Sequence, residues 1–423
     1  MKTHSSIEHL EARIAPAAIL HYTDVDGDLV TIKCSKVTQA QLAARQGAIM
    51  VNMGGIGNQL GNFTLTPEFD GADISITAKP QDVDQNGTFE GDGFVNVGAI
   101  TLVNHKLGRV SVHGDLGQIV AGDGSNTTQQ LKSLTVQSLG MLGTSTGAPN
   151  LSSSVSGNVG KVVIKGDIRN AAFLVGDASL GKLGSISIGG DIVSGSVAAR
   201  DGIHSIRVGG SALGSTISSA AGSLGSVKIG GSLINGALIA GTNIGTILIK
   251  GSLVGSAGAH TSIYALGLVG NPVKNNVAIE SINIGGRVEQ AWILAGVNAG
   301  GAGLNGNAQI GAVTVRGDWV ASNLVSGGTT TDGTFGDAND AAIAGGTMSR
   351  IASIVIKGQV YGEVGTTHTF GFFAETIGSF KSGDVTFHLK SGARNDGFAI
   401  GRALPVGNSV TTGGAFAVHV YEV

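Results

Sequence analysis

Apolar and polar positions recur in one frame: apolar, Gly, any, apolar, any, apolar, any, Gly, Asp or Ser, apolar. It reads LGRVSVHGDL from Leu107, VGKVVIKGDI from Val159, LGSISIGGDI from Leu183 and LGSVKIGGSL from Leu224. IGTILIKGSL from Ile244 and IGAVTVRGDW from Ile310 continue it, and looser copies begin at Leu131, Ile203, Ile279 and Ile351. The period within each copy is two, which predicts a strand with Val162 and Ile164 on one face and Lys161, Val163 and Lys165 on the other. Val and Ile dominate, as a pleated surface favours. Gly166 and Asp167 then supply a bend. A second apolar segment follows in most copies, such as AAFLVGD from Ala171, GALIAGT from Gly236 and QAWILAGV from Gln290. The unit is therefore expected to run strand, Gly corner, strand, Gly corner, without a helical stripe.

The shortest spacings, from Leu183 to Ile203, Leu224 and Ile244, are 20, 21 and 20 residues. So short a unit cannot bury its own apolar face and must stack on its neighbours, whereas a propeller blade needs about 40 residues and four strands. The expected fold is all-β, a parallel β-helix (solenoid) of roughly ten to twelve coils with irregular N- and C-terminal caps. At about 4.8 Å per coil it forms a rod on the order of 50 Å long. The interior rows are expected to hold Val162, Ile164, Ile186, Ile188, Ile206, Val208, Val227, Ile229, Ile247 and Ile249. The long gaps after Ile244, Ile279 and Ile310 read as loops leaving a coil.

The termini break the frame. Residues 1–20 are expected to form an N-terminal helical tag or cap, 21–100 an N-terminal cap region, 101–360 the repeats and 361–423 a C-terminal cap. Ile7, Leu10 and Ile14 make a helical stripe over 5–15, stopped by Pro16. Thr38 and Gln41 stand at capping-box spacing at the head of a second helix over Thr38–Gln46. Strand-like runs cover Leu29–Cys34, Phe63–Thr66, Asp73–Ala78, Asp384–Leu389 and Ala415–Val423.

Composition narrows the function classes. Of 423 residues 71 are Gly, charged residues make up only 13%, and 42% are apolar with six Pro, so there is ample side chain to bury and the chain is not a disordered one. Gly lacks a three-residue period, which excludes collagen. A net charge of −3 without basic clusters argues against nucleic acid or an anionic membrane as partner. One cysteine, Cys34, excludes internal disulfides and a thiolate metal cage. No apolar run approaches the ~18 residues of a transmembrane segment. Met1 to Leu20 carries Glu8, Glu11 and Arg13, unlike an ordinary secretory signal, so a cytoplasmic location stays open.

Candidate chemistry is concentrated in two acidic loops. Asp82, Asp84, Asn86, Gly87, Thr88 and Glu90 match positions 1, 3, 5, 6, 7 and 9 of an EF-hand-like loop. Alternating oxygens before a tight Gly turn wrap around a hard cation, so Ca2+ is the expected cofactor. Gly93 stands where the bidentate Glu belongs, with Asp92 one position early. Asp24, Asp26 and Asp28 form a second, weaker metal candidate, for which an Asp/Gly hairpin turn suffices. Asp332, Asp337 and Asp340 are a third and fainter group. Gly301, Gly303 and Gly306 match GxGxxG, and Gly143, Ser145 and Gly147 match GxSxG, but neither has the strand–helix context its chemistry needs. Asp115, Asp167, Asp191 and Asp318 recur after the corner Gly and read as turn chemistry, with the Lys165–Asp167 pair solvated and weak.

IEHLEARIAPA at the start, YTDVDGDLVTIK from Tyr22, DGFVNVGAI from Asp92 and NDGFAIGRALPVG from Asn395 carry a resemblance. Together with the repeat frame they resemble a family of Gly-rich bacterial β-strand-repeat proteins. The resemblance implies a secreted or cell-surface setting and brings no established activity or catalytic residues. The expected function is a non-enzymatic extracellular or cell-surface structural or adhesion β-solenoid, calcium-stabilised, with a cell-surface or matrix component, such as a polysaccharide, as partner. Two alternatives stay open, a carbohydrate-binding module and a polysaccharide-degrading β-helix enzyme. For these, Trp292 and Trp319 lie one coil apart near His260, Arg316 and Asp318.

Overall fold

The computed structural model describes residues 17–51, 55–176, 180–256, 258–269, 276–298, 302–331, 335–336, 339–346, 349–362, 369–400 and 418–422. The helix expected over 5–15 lies outside them.

The chain winds as a parallel solenoid with three faces. One coil runs through Asn158–Ile164 on the first face, Ile168–Arg169 on the second and Ala172–Val175 on the third. The next coil repeats this with Leu183–Ile188, Ile192–Val193 and Ser196–Ala199 in parallel register, so that Val162 lies beside Ile186, Ile168 beside Ile192 and Phe173 beside Val197. Among the described residues the first face stacks twelve strands, from Ile74–Thr77 to Phe380–Ser382. All ten residues expected in the interior rows are buried. Lys228, between Val227 and Ile229, is exposed.

The unit thus has three strands where the pattern suggests two. The missing strand is only two residues long, too short to show a period. It ends in a sharp turn whose residue takes the left-handed conformation: Asn170 (φ 49°), Ser194 (50°), Asn235 (48°), Gln290 (50°) and Ala321 (43°), with Gly214 (54°) in the same column. Asn, Ser and Gly tolerate this region, and stacking on both sides holds Gln290 and Ala321 in it.

The other corner is where the recurring Asp and Ser act. Asp191 N–H donates to Asp167 Oδ1 (2.8 Å), Ser211 N–H to Asp191 Oδ1 (2.6 Å) and Ser232 N–H to Ser211 Oγ (3.1 Å). Ser252 N–H donates to Ser232 Oγ (3.0 Å) and Arg287 N–H to Ser252 Oγ (3.1 Å). Arg287 has no acceptor, so the column stops there and resumes with Asp318 Oδ1, which accepts from Gln359 N–H (2.9 Å). These side chains bond the solenoid from coil to coil where the backbone ladder turns away. They are structural acceptors rather than solvated charges, and Asp167 pairs with Arg169 (3.0 Å), not Lys165. Asp191→Ala leaves the Ser211 amide without its acceptor and should lower stability by about 1–2 kcal/mol. Asp191→Ser, which copies the neighbouring coils, should recover most of that loss in a denaturant melt.

Antiparallel hairpins close both ends and cover the sheet edges. At the N-terminal end Ala18–Thr23 pairs with Leu29–Cys34, and Leu29–Cys34 with Ile74–Thr77, which lies parallel on the strand Leu107–Gly122. On the third face parallel stacking starts with Asn58–Thr64 on Val97–Val103. The second helix is shorter than expected, Gln39–Ala43 followed by a 3-10 turn at Gln46–Ala48, with the Thr38–Gln41 capping box formed and Leu42 buried. At the far end Phe380–Ser382 pairs antiparallel with Val385–Phe387, and Gly397–Ile400 with Val418–Glu422. Aromatic rings replace aliphatics in this last part of the core: Trp319, Phe372, Phe380 and Phe387 follow one another at centroid distances of 5.0, 4.8 and 4.9 Å. Buried carboxylates finish the cap, Glu375 accepting from Ser349 N–H and Arg394, and Glu422 from Ile377 N–H.

Candidate metal centre

The two acidic loops are far apart in sequence and meet at the N-terminal cap. Asp24, Asp26 and Asp28 turn the first hairpin, and residues 82–89 form the tip of a second one, closed by the paired backbones of Gln81 and Glu90. Asp92 N–H donates to Asp26 Oδ2 (3.1 Å) and Gly93 N–H to Asp28 Oδ2 (2.7 Å), which latches one loop onto the other. Gly91 (φ +97°) makes that closure possible, since a Cβ there would stand 2.2 Å from Asp28 Oδ1.

Two sets of three carboxylates come together: Asp24, Asp26 and Asp28, and Asp82, Asp84 and Glu90, each offering oxygens within 4.8 Å of one another. Both could hold a metal ion, and they differ in how their oxygens are already used. In the exposed tip the side chains bond their own backbone. Asp82 accepts from Asn86 N–H (3.0 Å) and Gly87 N–H (2.9 Å), and Asp84 accepts from Asn86 Nδ2 (2.8 Å). Asn86 Oδ1 accepts from Thr88 N–H (2.8 Å) and Glu90 Oε2 from Val83 N–H (2.8 Å). Asp92, expected in this set, turns away to accept from Phe94 N–H (2.8 Å) and lies beside Asp26 and Asp28 instead.

In the first hairpin two of the three carboxylates are buried. Asp24 is 5% exposed and Asp28 0%, while Asp26 faces solvent. Asp24 Oδ1 accepts from Asp28 N–H at 2.8 Å. Burial, then the hydrogen bond and charge of Asp26, push the Asp24 carboxyl up to about 7 against the opposing Asp28 N–H. Burial likewise raises Asp28, more than the Gly93 N–H lowers it, and the charges of Asp26 and Asp92 add to the rise. Tyr22 OH and Asp28 Oδ1 are both buried without a hydrogen-bond partner. Sequence spacing could not have ranked this turn first, because its burial is created by a loop from far along the chain.

Elsewhere the described residues bring together little chemistry. Trp319 is fully buried, with Nε1 donating to the Ser322 carbonyl (3.0 Å), so it cannot act as a sugar platform. Trp292 is half-buried on the outer side of the third face, where it stacks on His260 at 4.8 Å. Ser145 donates to the Leu142 carbonyl (2.7 Å) within a 3-10 turn, not a nucleophile elbow. Burial pushes the Cys34 thiol up to about 12, which leaves it unreactive. Asp332 and Asp337 lie outside the described residues. Three grooves on the third face are lined mainly by Ala, Gly, Ser and Thr together with Leu and Ile side chains and the amides of Asn150, Asn170 and Asn298, with Arg200 their one charged group. Among the described residues no helix is long and apolar enough to cross a membrane. Neither family models nor curated proteins nor solved structures give a match to this chain.

Proposed function

We propose that this protein is a non-enzymatic structural rod of the cell surface or extracellular space, used for adhesion, matrix or display, with calcium bound at its N-terminal cap. The observation that carries this reading is a solid interior. Among the described residues aliphatic side chains, and aromatic ones toward the C-terminal end, fill the coils, and the grooves on the third face hold no paired carboxylates or carboxylate–histidine sets with which to act on a substrate. Such a core gives stiffness and a long flat surface. The resemblance to Gly-rich bacterial β-strand-repeat proteins supports the same setting, and two clusters of three carboxylates at the N-terminal cap, each able to hold a metal ion, support the calcium part.

A second reading, a carbohydrate-binding module, is favoured by the half-buried Trp292 and Tyr264 on the outer side of the third face, with His260 stacked on Trp292. Incubating the protein with a panel of polysaccharides separates these readings. The rod reading expects no turnover and no change in tryptophan fluorescence. Binding without turnover, lost in Trp292→Ala, selects the carbohydrate module. Product release would overturn both.

A further inference from the structure

We infer that the calcium site of the N-terminal cap is the buried turn Asp24, Asp26 and Asp28, closed over by residues 91–93, and not the hairpin tip at Asp82. The inference rests on the calcium part of the function proposed above and is independent of the rod's biological role.

Three observations carry it. First, the carboxylate oxygens of Asp24, Asp26 and Asp28 lie within 4.8 Å of one another, a span a single divalent ion can bridge. Second, Asp28 is fully buried and its Oδ1 has no hydrogen-bond partner. A buried ionised oxygen is costly unless a proton or a cation sits on it. Tyr22 OH, two residues before Asp24 on the same strand-to-turn segment, is also buried and unpartnered. Third, the tip at Asp82 is exposed, and none of its carboxylate oxygens is buried without a partner.

The ligand chemistry is that of a hard cation, because the site offers oxygen alone. The nearby loop supplies what the turn lacks. Asp92 adds negative charge beside Asp26 and Asp28, and the amides of Asp92 and Gly93 fix Asp26 Oδ2 and Asp28 Oδ2, orienting both carboxylates. A cation here neutralises carboxylates on the turn and draws residues 91–93 down, tying the first hairpin to the segment that leads into the Val97–Val103 strand.

Equilibrium dialysis of the full chain against calcium tests this, with Asp28→Asn, Asp26→Asn and Asp84→Asn alongside the parent. The expected result is a single calcium per chain with a dissociation constant of about 10⁻⁴ to 10⁻³ M, the range of extracellular modules. Binding should weaken at least about tenfold in Asp28→Asn and in Asp26→Asn and stay unchanged in Asp84→Asn. Asp26 faces solvent, so its variant keeps the test valid if Asp28→Asn fails to fold. Loss of binding in Asp84→Asn with retention in Asp26→Asn would overturn the assignment and move calcium to the tip. No binding by the parent would overturn it as well, while the polysaccharide panel still judges the rod reading separately.

Discussion

Ile229→Asp should unfold the middle of the solenoid. Ile229 is 1% exposed and lies in register between Val208 and Ile249 of the adjoining coils. An Asp carboxylate there meets aliphatic side chains above and below, with no donor to satisfy it. Burying an unpaired charge belongs to the few changes that cost more than about 4 kcal/mol. Stacked coils share every interface, so the damage spreads to both neighbours. Lys228→Asp, one residue away, changes charge by the same kind of substitution on the exposed side. It should cost under about 0.5 kcal/mol. Denaturant midpoints of the two variants give the check, and similar losses would mean that the faces are misassigned.

Gly210→Ala should be nearly as damaging for a different reason. A Cβ at Gly210 would stand 2.0 Å from Asp191 Oδ1 and 3.0 Å from the Gly190 carbonyl carbon. The carboxylate must then swing away and drop the Ser211 amide it accepts from at 2.6 Å. Crowding of about 1–3 kcal/mol adds to an unsatisfied amide of about 1–3 kcal/mol, so a loss near 3 kcal/mol is expected. Gly47→Ala, at a site with nothing within 4 Å of the new Cβ, should be close to neutral. In an Asp191→Ala background the Gly210→Ala cost should shrink markedly, because the clashing atom is gone. Additive losses in the double variant would refute the corner mechanism.

The corner explains why Gly and Asp or Ser travel together in the repeat. An Asp that merely favoured a bend would serve its own turn. Here Asp167 serves the amide of Asp191 in the following coil, and Gly190 leaves room for the carboxylate to pass. The sequence shows the two residues side by side in one copy. Their interaction is between copies, at a separation of 20 residues or more, where no local pattern can reveal it.

The amino-acid sequence by itself determined the repeat, the strand of each copy and which of its side chains face inward. Period-two alternation needs only neighbouring residues to be read, and Val162, Ile164 and their counterparts lie inside as it requires. It also determined the Thr38 capping box and the places where acidic oxygens gather, since these too are local. Only the tertiary structure decided the third strand of each coil, because Ile168–Arg169 and its equivalents are defined by pairing with the coils beside them. It likewise placed Trp319 in the core, where Phe372 and the Ser322 carbonyl receive it. The ranking of the acidic loops was decided in the same way. Asp82 to Glu90 matches a calcium pattern residue by residue, yet those side chains fold back on their own amides. Asp28 has a weaker pattern and becomes the more demanding carboxylate because residues 91–93 fold over it and take away its water. Local spacing counts ligands, whereas desolvation, which sets how strongly a carboxylate needs a cation, is a property of the packed chain.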